Sequence, residues 1–105
     1  MDEYIEVHWT APTMEEARKV AKYTVEQKLA ACVQLIPHVE SHYVWQGVAE
    51  CGQEIKVVFK TRKTRFYAVR EAILQLGSYE VPEVTAVPII MGHTPYLHWL
   101  KDGTH

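Results

Sequence analysis

Six histidines and two cysteines in a chain of 105 residues invite a metal reading. His38 and His42 stand four apart. On a helix that spacing lets two imidazoles share an ion. On a strand, at about 3.3 Å per residue, it holds them about 13 Å apart. Their surroundings, Val33, Leu35, Val39, Tyr43, Val44 and Trp45, are residues that suit a pleated, half-buried surface, so this pair is not expected to chelate within one chain. His8 adjoins Trp9 near the end of a first strand and reads as an exposed or hydrogen-bonded imidazole. His93 and His98 flank a helix start and read as capping or surface residues, and His105 is terminal. Cys32 would be a soft metal ligand or a redox-active thiol if its pKa were lowered. Free cysteine is also among the most buried residue types, which makes packing the competing role. Cys51 sits beside Gly52, and both thiols are expected to be free in a reducing cytoplasm. There is no G-x-S-x-G, P-loop, H-E-x-x-H or Cys-x-x-Cys, so no enzyme motif is present and a non-enzymatic protein is expected.

These side chains need elements to position them. Residues 3–10 alternate, with Ile5, Val7 and Trp9 against Tyr4 and Glu6, and predict a strand that Ala11-Pro12 stops. Thr13 followed three residues on by Glu16 fits a capping box opening a helix over 13–29, with Ala17, Val20, Ala21, Thr24 and Leu29 as its apolar stripe. A second strand is predicted over 32–49, a turn at Glu50-Cys51-Gly52-Gln53, and a third strand over 54–61. There Ile55, Val57, Phe59 and Thr61 share one face. Lys63 and Arg65 read as a solvated helix start. Phe66, Val69, Ala72, Ile73 and Leu76 form a second stripe, which Gly77 is expected to end in a left-handed cap. A last strand over 84–90 and a short helix with Thr94 as N-cap and Pro95 at the first position complete residues 1–105 as a single domain.

The order is βαββαβ with a short C-terminal helix. It predicts an α+β, ferredoxin-like sandwich with a long hairpin joining the second and third strands. Right-handed crossovers put the first and third strands at the centre and the second and fourth at the edges. Pro37 and Pro88 fall in those edge strands, where a missing N–H is tolerated; Pro37 by itself reads as an edge strand, a bulge, or both. A long apolar edge invites aggregation unless covered. Tyr43, Val44 and Trp45 are therefore expected at an interface with copies of the same chain, and a head-to-tail contact that closes makes a ring.

The residues also carry a resemblance. Leu29-Ala30-Ala31-Cys32-Val33, Ile36-Pro37, Tyr43-Val44-Trp45-Gln46-Gly47, Glu54, Lys60-Thr61, Tyr79-Glu80-Val81-Pro82-Glu83, Pro88, Gly92 and Tyr96-Leu97-His98-Trp99 together resemble the divalent-cation tolerance (CutA) family, over nearly the whole chain. The resemblance implies a ferredoxin-like subunit in a compact, very stable homotrimer, with hairpins pairing across subunits. It also implies a link to copper and other divalent ions, and a likeness to small trimeric signalling or ligand-sensing scaffolds. Glu54, Lys60, Tyr79 and Glu80 are its polar residues. With Cys32 they are candidates for a ligand cleft between subunits, Lys60 anchoring an anion and Glu80 a cation or hydrogen-bond partner; the competing reading is an ion-pair network that fixes the trimer. Where some members carry candidate copper ligands, a cysteine late in the first strand and adjacent histidines after the second helix, this chain has Trp9 and Leu76-Gly77, none of which ligates copper. Many members also have His-Pro where this chain has Gly77-Ser78.

Bulk properties bound the alternatives. A chain of this size buries roughly 65% of its unfolded surface, enough for one core. A net charge of -2 and a pI near 6.3 lack the basic footprint of a nucleic-acid binder. An RNA-binding module on the same fold would need stacking aromatics on the central strands, for which Trp9 and Phe59 are the only hints. An enzyme whose active site forms only between subunits is the other alternative. No apolar run reaches the roughly 18 residues that span a bilayer, and the acidic start Met1-Asp2-Glu3-Tyr4 has no signal-peptide pattern, so a cytoplasmic protein without membrane partners is expected.

Overall fold

The computed structural model describes residues 3–105; the Met1-Asp2 start lies outside them. The elements are β1 (Tyr4–Ala11), α1 (Met14–Glu26), β2 (Cys32–Trp45), β3 (Val48–Arg62), a 3-10 turn (Lys63–Arg65), α2 (Phe66–Leu76), β4 (Thr85–Ile89) and α3 (Thr94–Asp102). The strands form one antiparallel sheet in the order β2-β3-β1-β4, with the expected centre and edges.

Strict alternation builds the core. Ile5, Val7, Trp9 and Ala11 of β1 lie opposite Thr61, Phe59, Val57 and Ile55 of β3, and all eight are buried. Ala17, Val20, Val69 and Ile73 of α1 and α2 close over this face. Thr13 caps α1 as predicted, accepting from the Glu16 N–H at 3.2 Å, while Glu15 and Glu16 face the positive end of the helix dipole. Buried Thr24 and Thr61 are satisfied by carbonyls, Thr24 on Val20 and Ala21 and Thr61 on Leu29 at 2.7 Å. α3 packs on the other face of β3. There Lys60 Nζ sits 5.9 Å from the Tyr96 ring centre and Arg62 Nε donates to Thr104 Oγ1 at 2.8 Å. Trp9 and Phe59 are 1% and 0% exposed, with ring centres 6.4 Å apart, so neither is free to stack on a base.

Several boundaries differ from the sequence-based expectation. α1 ends at Glu26 because the chain turns through Lys28 at φ 58; Leu29 leaves the helix but still packs on the core. His93, not Thr94, is the N-cap of α3, and Pro95 falls at its second residue. Gly77 is not a left-handed cap: its φ is -84 and ψ 158. Glycine is required there by close approach. A Cβ would stand 2.7 Å from the Ile73 carbonyl oxygen and 3.4 Å from the Trp9 ring.

The hairpin turn is Gln46-Gly47, not 50–53. Both residues have positive φ, 51 and 80, the backbone of a two-residue type I′ turn whose twist matches the strands it joins. Pairing therefore runs on to Trp45↔Val48, while β1 pairs only with residues 55–62 of β3. Among the described residues, 39–45 and 48–54 pair only with each other and form an arm beyond the rest of the sheet. It shows in the dimensions, 45 × 25 × 22 Å, and in a radius of gyration of 14.3 Å against about 13 Å for a compact chain of this length.

Pro37 and His38 interrupt β2; of the alternatives expected at Pro37, both the edge position and the bulge are present. Ile36 pairs with Lys56 and Val39 with Glu54, so two residues of β2 face Ile55 alone. His38, at φ 60, takes up the bulge. One extra residue reverses side-chain parity. Val33 and Leu35 face the core side; beyond the bulge Ser41, Tyr43 and Trp45 face the opposite side, with Glu54.

Gly77→Ala should cost about 1–3 kcal/mol through the clash with the Ile73 carbonyl oxygen. The check is the midpoint of guanidinium unfolding, and an unchanged midpoint would mean the Ile73 carbonyl yields freely.

Candidate functional site

At the root of the arm, on the face turned away from α1 and α2, lies an open cleft of about 530 Å³. The reversed parity brings Ser41, Tyr43 and Trp45 into its wall beside Glu50 and Glu54 of β3. Thr10 at the end of β1 closes one side, and the loop between α2 and β4 supplies Tyr79, Glu80, Val81 and Glu83. The Tyr79 hydroxyl donates to Glu54 Oε2 at 2.8 Å and ties that loop to the arm. Glu83 Oε2 accepts from Thr85 Oγ1 at 3.1 Å and lies 3.8 Å from Lys56 Nζ.

Four carboxylates, Glu50, Glu54, Glu80 and Glu83, thus border a cleft with no lysine or arginine among its described lining residues. Their field concentrates cations, and Tyr43 and Trp45 supply aromatic lining beside them. No three of these carboxylates come close enough to chelate one ion among the described residues. The arrangement suits a cation that is larger than a bare metal ion, or one whose ligation a second chain completes. Partial burial first, and then the Glu54 carboxylate, hold the Tyr79 phenol well above its ordinary range; the residue as a whole is still 39% exposed. A neutral hydroxyl that keeps donating fits the loop tie.

Of the residues singled out from sequence, the fold brings Glu54, Tyr79 and Glu80 together here. Cys32 and Lys60 are paired with each other across β2 and β3 at the opposite end of the sheet. Lys60 lies six residues from Glu54 on the same strand, about 20 Å away. Tyr43, Val44 and Trp45 are 45%, 70% and 43% exposed on the edge strand of the arm. Thr10, Ser41, Glu50 and Glu83 were missed. Gln46-Gly47, a two-residue turn with glycine second, was the signal that would have registered the hairpin and placed Glu50 opposite Tyr43. Cys32 and Cys51 are free, one near each end of the hairpin. His8 is hydrogen-bonded, with Nε2 3.1 Å from Glu6 Oε1. Trp9 and Gly77 do converge, but the indole packs on the glycine in the core, so these positions offer an ion no donor.

The family model described as CutA1 divalent ion tolerance protein matches residues 5–103. The chain belongs to this family. It is 42% identical over 95 residues to the divalent-cation tolerance protein CutA of Thermus thermophilus, covering 90% of this chain and 92% of that one. It is 40% identical over 100 residues to the chloroplastic CutA protein of Arabidopsis thaliana, covering 95% of this chain but 55% of the plant protein, so it spans about half the length of that relative. The fold matches the crystal structure of CutA1 from Oryza sativa with a TM-score of 0.95 at 38% identity, over 98% of this chain and 94% of that one. The family's description names ion tolerance rather than a reaction. No helix among the described residues of this CutA chain is long and apolar enough to cross a membrane.

In an alkaline absorbance titration Tyr79 should give a late step, above the ordinary tyrosine value of about 10. Tyr79→Phe removes that late step, and Glu54→Gln moves it down. A phenol pKa raised by folding adds stability that is intact below about pH 10 and lost as pH climbs towards the folded value. Wild type should therefore lose stability more steeply than Tyr79→Phe above about pH 10, and parallel curves would count against the Glu54 bond.

Proposed function

We propose that this CutA-family chain acts in the tolerance of, or response to, divalent metal ions as a homotrimer of ferredoxin-like subunits, a non-enzymatic scaffold whose ligand clefts lie between subunits. The arm carries this reading. Two strands alone are at best marginally stable in water. This pair also exposes Tyr43, Val44, Trp45 and Val48 along an open edge. Pairing that edge with a neighbour satisfies its backbone groups and buries its aromatics. A heterologous contact that closes after three chains does so without leaving an edge. The order βαββαβ with strand sequence β2-β3-β1-β4 supports the ferredoxin-like assignment.

In this assembly the acidic cleft of Glu54, Tyr79 and Glu80 receives a complement from the next subunit, with Lys60 as the cation of matching sign and Cys32 beside it. A metal ion or a small charged ligand completes the same boundary. Copper enters as one candidate ion through the family, but not through Trp9, Leu76 and Gly77. The free thiols of Cys32 and Cys51 fit a cytoplasmic location.

Sedimentation equilibrium or mass photometry tests the assembly. The expected species has about three times the 12.1 kDa chain mass, and a double Val44→Asp, Trp45→Asp variant should shift it towards smaller species. A folded wild-type monomer in dilute buffer would sink the reading. Calorimetry with copper(II), zinc(II) and a panel of small anions and cations tests the cleft: any heat that arises there should fall at least about tenfold in affinity in Glu54→Gln.

A further inference from the structure

The bulge that turns Tyr43 and Trp45 into the cleft turns Glu40 and His42 to the opposite side of the arm. His42 is paired directly with Cys51 across β2 and β3, and Glu40 lies two residues earlier on the same face. The His42 Nε2 lies 3.6 Å from Cys51 Sγ and 2.8 Å from Glu40 Oε2, and the three donor atoms all fall within 4.8 Å of one another. We propose that Glu40, His42 and Cys51 form a binding site for a thiophilic transition-metal cation of the zinc(II) class, with the fourth position open to water or an incoming ligand.

Three observations support it. The first is donor chemistry: thiolate, imidazole and carboxylate are the ligands that borderline-soft cations take, and a set of three leaves one tetrahedral position free. The second is distance. Metal–sulfur and metal–nitrogen bonds of about 2.3 and 2.0–2.1 Å at a tetrahedral angle separate sulfur from nitrogen by about 3.6 Å, the separation already present. The third is rigidity of the frame. His42 and Cys51 are held opposite each other by the ladder, so bringing the set together needs side-chain adjustment and no backbone movement. Glu40 is already at the ring nitrogen that would bind, so it has only to pass from that nitrogen to the ion. Binding takes the thiolate form of Cys51, and the thiol proton leaves to solvent.

The site uses none of the residues of the acidic cleft, and all three of its ligands come from one chain. It bears on the divalent-ion reading by giving it a soft-metal centre away from Trp9, Leu76 and Gly77. The test titrates the full-length reduced protein with cobalt(II), whose thiolate charge-transfer band and tetrahedral d–d bands report the ligand set, and then displaces it with zinc(II). Expected are one cobalt per chain, a thiolate band lost in Cys51→Ser and kept in Cys32→Ser, and zinc affinity reduced at least about tenfold in His42→Ala and in Glu40→Gln. All four side chains are exposed or half-buried, and circular dichroism confirms that each variant is folded. No thiolate band in wild type, or a band that survives Cys51→Ser, overturns the site. Sedimentation of the same samples separates the two readings, since the assembly can be present where the band is absent and the reverse.

Discussion

A two-stranded ribbon cannot bury a face on its own, and this molecule commits a large share of its two longest strands to such a ribbon. The body of the sheet follows ordinary rules. The two central strands carry the alternating core residues, two helices cover one face, and Trp9 and Phe59 fill the space between. Over residues 39–45 and 48–54, no third strand among the described residues pairs alongside. The arm therefore keeps open backbone groups and exposed aromatic surface that a lone chain has no means to cover. That deficit is the physical ground on which the proposed self-association rests.

The bulge at Pro37-His38 decides what the arm presents. Without it, residues 39, 41, 43 and 45 would continue the face of Val33 and Leu35, and Tyr43 and Trp45 would project on the side of the helices. With it, the aromatics meet Glu50, Glu54 and the Tyr79 loop, while Glu40 and His42 meet Cys51. A proline that cannot donate and a histidine at positive φ thus assign the two faces of the arm to different chemistries: carboxylates and aromatic rings on one, a thiol and an imidazole on the other.

Much of this was legible in the residues. Alternation in residues 4–11 and 55–61, the Thr13 cap, the edge position of both prolines and the order of elements follow from local patterns that tertiary packing reinforced. Where the reading failed, two local signals competed. Glu50-Cys51-Gly52-Gln53 looks like a turn by composition, but Gln46-Gly47 accepts the doubly positive φ that a two-residue hairpin demands, and the longer ladder won. Gly77 looks like a helix cap, yet its role is to leave room for Ile73 and Trp9. The candidate residues divided for a similar reason. Glu54 and Lys60 share a strand face, which sequence shows, but lie six residues apart along it, so a single chain holds them in separate places.

By itself the sequence determined the elements, their order and the core, because periodicity and capping act over a few residues. It also placed prolines and apolar residues on an edge strand, since proline and aromatic content are local facts. Tertiary structure alone decided which side chains meet. The cleft joins residues from β1, both arm strands and a distant loop, and the Glu40, His42 and Cys51 set spans a ladder whose register depends on one inserted residue. Register is a property of two strands together, and a one-residue slip exchanges every side chain between faces. The composition of an arm strand therefore does not reveal which of its groups share a side until its partner is in place.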